Sequence, residues 1–407
     1  MNANDFSSGS LPLRHLPWVA RGFVTMLASL KVGSLTLIDP QGRSQLFGHQ
    51  GAWPHAQLHI RNWRAVGQIL RQGDVGFAHA YRRGWIECGD LQALFRLALR
   101  NEDHVATIHG SRWALVFKRL VHWVMRDNNR RGSRKNILAH YDLGNEFYSL
   151  WLDPSMSYSA AIFDSKEHRD LEAAQWAKYD RLLDSINAEP GQTVLEIGCG
   201  WGGFAQRAAE RGLQVTGVTL SDAQLAWAQQ RITQAGLSDR VNLSICDYRD
   251  IKGQFDHIVS IEMFEAVGLR HWTGFFAKVK ACLRPGGKLA IQTIDIADDR
   301  FDGYVKSTDF IQQFIFPGGM LPSPSRFAEL AEAAGLSEQD RFSFGLDYAE
   351  TLNRWAVKFE ESLPAIRALG FDEPFIRVWR MYLAYCEAGF HEQRTDVKQW
   401  LFTHTSQ

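Results

Sequence analysis

The sequence predicts an α/β protein: a doubly wound parallel sheet preceded by a small α+β domain. Three observations carry this prediction. From about residue 171 single helical stretches alternate with short apolar strands, the pattern of a parallel sheet with helices on its faces. The segment Val194-Leu-Glu-Ile-Gly-Cys-Gly-Trp-Gly-Gly-Phe204 joins a strand to a glycine-rich turn and then to a helix-forming run. Residues 1–135 hold 19 Lys and Arg against 8 Asp and Glu, net +11, while residues 136–407 hold 26 against 37, net −11. A basic module therefore precedes an acidic one.

The elements follow in order. Residues 33–60 alternate polar and apolar side chains through Ser34–Ile38, the turn Asp39-Pro-Gln-Gly42, Gln45–Phe47 and Gln57–Ile60, which predicts a small hairpin-rich sheet. Helical stretches follow near 62–72 and 90–100. Trp113–Met125, rich in Trp, Phe, Leu and Val and flanked by Arg112, Lys118, Arg119 and Arg126, reads as a cation-bordered amphipathic helix suited to a membrane interface or to packing on its own domain. The basic stretch 127–135 reads as a linker. Domain limits of 1–125 and 137–407, joined by 126–136, follow from this.

In the second domain helices near 171–187, 203–211, 222–235 and 271–282 separate strands at 193–197, 214–218, 241–245, 256–261 and 288–292. Ligands of such a sheet bind at the carboxyl ends of its strands.

The chemistry of the turn narrows the ligand. Its spacing, Glu196-x-Gly198-x-Gly200 followed by Gly202, lacks the lysine of a phosphate-cradling loop and is not a strict dinucleotide fingerprint. The acid precedes the glycines, where a carboxylate can meet a ligand ammonium, and a second polar cluster, Gly217-Val-Thr-Leu-Ser221, ends the next strand. This fits S-adenosylmethionine, whose methionine half is zwitterionic and phosphate-free. The alternative is a strand-turn-helix of some other α/β domain.

The chain has no run of eighteen uncharged apolar residues, and its polar start lacks the charged region of a secretory signal, so a cytoplasmic protein is expected. Five scattered cysteines without a Cys-x-x-Cys, and fourteen histidines without ligand spacing, point to neither a disulfide framework nor a metal site.

Several ordered segments then coincide with one family. His140–Tyr148, Trp151–Ser159, the glycine turn, Gly217–Ser221, Asp247–Asp250, Met263–Gly268, Phe316–Pro322 and Phe344–Tyr348 resemble cyclopropane-fatty-acyl-phospholipid synthases and the related mycolic-acid methyltransferases. The resemblance is dense over roughly 135–400 and looser before it. It implies a class I S-adenosylmethionine-dependent methyltransferase that delivers one carbon to the double bond of an unsaturated acyl chain in membrane phospholipid.

It also implies roles. Glu196, Gly198, Gly200 and Gly202 would hold the methionine half, with Tyr141, Tyr158 and Ser159 closing over it. Thr219 and Gln224 sit where the ribose hydroxyls should lie, and Asp247 and Tyr248 suit the adenine. An alkene attacking a sulfonium methyl leaves a carbocation, so an apolar, aromatic slot is expected, and Phe264, Phe310, Phe314, Phe316, Tyr304 and Tyr348 lie in the matching segments.

The departures bear on the product. In the cyclopropane synthases a bicarbonate ion takes the proton from the new methyl group, held by a cysteine after the Tyr-Ser pair, a glutamate, a histidine near 292 and a late tyrosine. Here Glu265 and Tyr348 remain, but Ala160 stands for the cysteine, Gln292 for the histidine, and Ala266 for the histidine after the glutamate. Bicarbonate then either binds differently or another base acts, so Glu265, Tyr348 and Gln292 are the candidate catalytic residues. Proton loss from the new methyl closes a ring; proton loss elsewhere, or a prior hydride shift, gives a methyl- or methylene-branched chain, including precursors of methylated and furan fatty acids. The branched product is the expectation and cyclopropanation the alternative.

The expected partners are unsaturated phospholipid acyl chains at the inner membrane face, approached by a peripherally bound protein whose basic domain contacts lipid or a second copy of the chain. Nucleic-acid methylation suits a basic module too, but the Asn/Asp-Pro-Pro-Tyr type of motif is absent. A lipid-binding protein with a decayed transferase domain is the rival outside catalysis; the intact glycine turn and Glu265 speak against it.

Overall fold

A computed structural model describes residues 16–102, 143–163 and 170–404. Tyr141, the Trp113–Met125 segment and the 126–136 linker lie outside them. The chain divides into two compact units, the first holding residues 1–122, 307–314 and 370–392 and the second holding 123–306, 315–369 and 393–407. Two segments that the sequence reading assigns to the catalytic region thus belong to the first unit.

In the first unit β1 (Ser34–Ile38), β2 (Ser44–Gly48), β3 (His55–Ile60) and β4 (Ile86–Cys88) form a sheet in the order β2-β1-β3-β4. Strands β1 and β2 make the expected hairpin, closed by Asp39, whose carboxylate accepts from the amides of Gln41 and Arg43 at 2.9 Å each. Strand β3 instead runs parallel to β1. Both are interior strands, with Leu35, Leu37 and Ile38 of β1 and Ala56, Leu58 and Ile60 of β3 buried. The helix expected near 62–72 continues to Arg82 after a break at Gly73, whose φ of 59° and ψ of −130° are not helical. The helices Leu91–Arg100 and Glu373–His391 complete this unit.

The second unit is built on a seven-stranded sheet of order β10-β11-β9-β8-β5-β6-β7. Strands β5 (Thr193–Ile197), β6 (Gln214–Thr219), β7 (Val241–Ile245), β8 (Phe255–Ile261) and β9 (Leu283–Ile296) are parallel. Strands β10 (Leu336–Ser343) and β11 (Thr395–His404) are antiparallel, so the sheet is mixed rather than wholly parallel. The sequence reading did not extend to these two strands.

Alternate side chains of each strand enter different cores, as the pleat requires. Leu195, Ile258, Leu289 and Ile291 pack with the helices Trp272–Cys282 and Pro324–Ala333; Val194, Val259 and Ala290 pack with Leu171–Ser185, Gly203–Glu210 and Asp222–Gln234. Chain order reverses between β5 and β8, which opens the crevice at their carboxyl ends where ligands of this architecture bind.

Candidate active site

At the end of β5 the amides of Gly198 and Cys199 both donate to Val218 O, at 2.9 and 3.0 Å, which folds the turn back against β6. Gly198, Gly200 and Gly202 all have positive φ. They differ in surroundings. A Cβ on Gly198 or Gly202 would stand 3.0 Å from Met263 or Ala228, whereas one on Gly200 would meet nothing within 4 Å. Gly198 and Gly202 are therefore needed for packing, and Gly200 leaves open backbone beside the turn.

Glu196 is buried, and one carboxylate oxygen, Oε2, has no hydrogen-bond partner. Burial pushes its carboxyl up to about 8, against the pull of the Lys178 ammonium. A buried acid with an open oxygen beside bare glycine backbone fits a ligand that brings a cation, and the ammonium of S-adenosylmethionine supplies one. Around the turn, Trp201 Nε1 donates to Asn145 Oδ1 (2.8 Å), and Asn145 Nδ2 donates to Ala223 O (3.0 Å).

The other predicted cofactor residues occupy varied settings. Thr219 Oγ1 donates to Gln224 Oε1 at 3.0 Å, both side chains buried at the end of β6. Asp247 caps the short helix Tyr248–Asp250, its carboxylate accepting from Arg249 N, and the Tyr248 ring lies edge-on to Phe275, 5.4 Å away. Tyr158 sits in an aromatic group with Tyr148, Trp151 and Trp355 at 5.4–5.6 Å between ring centres, and with Phe316 at 6.3 Å. Ser159 accepts a hydrogen bond from Lys178.

Two of the three candidate catalytic residues, Tyr348 and Gln292, meet at a group that the sequence reading missed. Glu262 follows β8 directly and has φ of 48°, a left-handed backbone uncommon for a non-glycine residue. Its Oε1 accepts from Ala160 N (2.8 Å) and Gln292 Nε2 (2.7 Å), and its Oε2 accepts from Tyr348 Oη (2.6 Å). Tyr348 and Gln292 are thus brought together, and the position that replaces the cysteine supplies a backbone amide. Burial raises the Glu262 carboxyl, while the Tyr348, Ala160 and Gln292 hydrogen bonds and the Lys178 charge oppose the rise.

Glu265 lies beside this cluster but bonds elsewhere. Its Oε1 accepts from Ile294 N (2.6 Å) and Thr293 Oγ1 (3.1 Å), and its Oε2 is buried without a partner. Burial and then the Glu262 charge push its carboxyl up to about 8. Its backbone oxygen accepts from Met320 N at 2.9 Å, tying down the Phe316–Pro322 segment.

The expected aromatic slot is redistributed. Phe264 is fully buried in the core between Trp272, Phe275 and Phe327, and Phe310 and Phe314 belong to the first unit. Phe316 and Tyr348 remain beside Tyr158 and Trp355. The signal for Glu262 was available: an acid immediately past a buried strand at the carboxyl edge of the sheet.

Comparison with known proteins agrees with this geometry. Residues 128–400 match the family described as mycolic acid cyclopropane synthetase. The chain is 39% identical over 340 residues to the tuberculostearic acid methyltransferase UfaA1 of Mycobacterium tuberculosis, covering 82% of this chain and 79% of that one. It is 34% identical over 360 residues to the cyclopropane-fatty-acyl-phospholipid synthase of Escherichia coli, covering 85% and 86%. Among solved structures, the mycolic acid cyclopropane synthase CmaA1 complexed with SAH and CTAB superposes with a TM-score of 0.62 at 31% identity, covering 66% of this chain and 98% of that one. With a glycine turn at one strand end and a carboxylate cluster at the next, the chain belongs to the mycolic acid cyclopropane synthetase family and is an S-adenosylmethionine-dependent methyltransferase.

Proposed function

We propose that this enzyme converts a monounsaturated acyl chain of membrane phospholipid into a methylene-branched chain, with Glu262 as the proton acceptor. The observation that carries the reading is the hydrogen bonding of Glu262. Three of the four positions that hold bicarbonate in the resembling synthases, Ala160, Gln292 and Tyr348, here converge on a side-chain carboxylate, while the fourth, Glu265, bonds to Ile294 and Thr293. A resident anion in that seat takes the place of a bound one.

When bound, S-adenosylmethionine supplies an electrophilic methyl: the alkene carbon bonds to it as the sulfur–carbon bond breaks, leaving a cation on the neighbouring chain carbon. Glu262 then receives a proton from the new methyl group. If a hydride has first moved from the methylated carbon to the cationic one, the remaining electron pair forms an exocyclic methylene; without that shift it closes a ring. Tyr348 and Gln292 orient the carboxylate, and the faces of Tyr158, Trp355 and Phe316 favour positive charge beside it. Glu196 and the Gly198–Gly202 turn would hold the methionine half, Thr219 and Gln224 the ribose, and Asp247 and Tyr248 the adenine, with Tyr158 and Ser159 closing the site. Glu265, whose carboxyl burial and the Glu262 charge raise to about 8, is bonded to Ile294 and Thr293 and anchors the loop through its backbone oxygen rather than taking the proton.

The exchange of a thiol and an imidazole for Ala160 and Gln292 supports branching, and the 39%-identical relative is named for methyl transfer rather than ring formation. The basic first domain supports docking on the inner membrane face. Its Trp18 and Trp53 are 83% and 54% exposed, and Arg96 and Arg100 stack on Trp53 at 4.1 and 4.4 Å. Among the described residues no helix is long and apolar enough to cross a membrane.

The test is mass spectrometry of lipids from expressing cells, with fragmentation that locates the added carbon. A methylene or reduced methyl branch at a former double bond is the expected result; a ring overturns the product assignment.

A further inference from the structure

Lys178 lies on the helix Leu171–Ser185 and has no solvent exposure. Its ammonium donates to Ser159 Oγ and Gln175 Oε1, at 2.6 Å each, and forms no ion pair among the described residues. A buried ammonium without a contacting carboxylate is costly, and an apolar side chain of similar length would fill the same space more favourably. The Tyr179 ring, 4.3 Å from Nζ, offsets part of that cost, and no contacting carboxylate among the described residues does.

Two hydrogen-bonded routes run from this residue to the Glu262 carboxylate. On one side the ammonium holds Ser159, Gln175 Nε2 donates to Ser159 O at 2.9 Å, and the next amide, Ala160 N, donates to Glu262. On the other, Gln399 Nε2 donates to Lys178 O (3.3 Å) and to Gln292 Oε1 (3.1 Å), and Gln292 donates to Glu262. Ser159, Gln175, Gln292 and Gln399 are all buried. The charges that act on Lys178 are Glu262, Asp153 and Glu196, all acidic.

We propose that Lys178 is a positioning residue for the reaction, its ammonium fixing the Ser159–Ala160 turn that orients Glu262 and its charge keeping that carboxylate ionised. The proposal rests on Glu262 being the proton acceptor. Because Glu262 acts ionised, turnover rises with pH through its pKa. Burial also lowers the Lys178 ammonium to about 8, so turnover falls again as pH climbs past that value.

The experiment measures kcat at saturating S-adenosylmethionine from pH 5.5 to 9.5, on liposomes containing a monounsaturated phospholipid, for wild type, Lys178→Met, Ser159→Ala and Glu262→Gln. Melting temperature and S-adenosylhomocysteine binding report folding. Lys178→Met is expected to lose about tenfold or more in kcat at pH 7, to move the acidic limb about one pH unit upward, and to lose the alkaline limb. A folded Lys178→Met with wild-type kcat and an unmoved acidic limb overturns the proposal. If Lys178→Met does not fold, Ser159→Ala carries the test: a lower kcat is expected, and an unchanged kcat overturns the proposal. Glu262→Gln separates the two readings. An active Glu262→Gln overturns the acceptor and Lys178's role with it; an inactive one beside a wild-type Lys178→Met overturns Lys178 alone.

Discussion

Two glutamates, Glu196 buried and Glu262 half-buried, stand at the carboxyl ends of neighbouring strands and are built in opposite ways. Glu196, on β5, leaves an oxygen with no partner among the described residues, in the strand that leads to Gly200, where a Cβ would meet none of them within 4 Å. Glu262, past β8, has both oxygens engaged by donors from three separate chain segments. A group that a ligand completes is left unsatisfied by the protein, because ligand binding supplies the missing partner. A group that must receive a proton at a fixed point is held in place beforehand, because reorientation during the reaction would add to the barrier. On the proposed reading, the difference separates binding from chemistry within one crevice.

The largest effect that could break this contrast is on Glu262. Glu262→Gln removes the acceptor while leaving the cofactor turn intact, so turnover should fall by about 10²–10⁴-fold with S-adenosylhomocysteine affinity near wild type by calorimetry. Glu265→Gln should keep most of its activity. The reverse ranking would return the acceptor role to Glu265.

Next in size is the cofactor end. Gly200→Val puts a β-branched side chain at a φ of 49° and into the space beside the turn, so cofactor binding should be lost in calorimetry. Glu196→Gln should weaken it by about tenfold or more, the value of a charge-assisted hydrogen bond. Near-wild-type affinity in both variants would make the turn and its acid structural only.

A smaller effect is on stability. The folded-state carboxyls of Glu196 and Glu265 are raised to about 8, and that of Asp295 to about 7. Each binds its proton more tightly folded than unfolded, so their contribution is full below the unfolded carboxylate range and is lost as pH rises through these values. The melting temperature of the ligand-free enzyme should decline between pH 5 and 8. Added S-adenosylhomocysteine should flatten the decline, because its ammonium favours ionised Glu196. A melting temperature that rises over this range would contradict the burial of these acids.

The smallest expected change concerns the first domain. Replacing Trp18 and Trp53 together with alanine should weaken binding to anionic liposomes while leaving activity on detergent-dispersed phospholipid unchanged. Sedimentation with liposomes at several salt concentrations measures it, and salt-independent binding would favour contact with a second copy instead.

How much of this was legible in the sequence follows from how far each site reaches along the chain. The cofactor turn and its strands are local: residues within a ten-residue stretch set the glycine spacing, the acid and the helix start, and the elements from 171 to 292 fall close to where periodicity puts them. The acceptor cluster is not local. Strand order brings Glu262, Gln292 and Gln399 together, while Ala160 and Tyr348 come from outside the sheet, and β11, which brings Gln399, is antiparallel to β9 and followed no βαβ pattern. Glu265 drew attention as the matching acid of a familiar segment, although its bonds go to Thr293 and Ile294. Phe310 and Phe314 sit in matching segments too, yet their stretch of chain packs with the first unit, against Tyr385 and His79.

The most direct measurement of the central claim is the bicarbonate dependence of purified wild-type enzyme in carbon-dioxide-free buffer. With a resident carboxylate in the anion seat, the initial rate should be the same before and after millimolar bicarbonate is added. Glu262→Gly, which empties the seat and suits the left-handed backbone there, should be slow without bicarbonate and faster with it. A wild-type rate that collapses on removal of bicarbonate and recovers on its return would contradict the account.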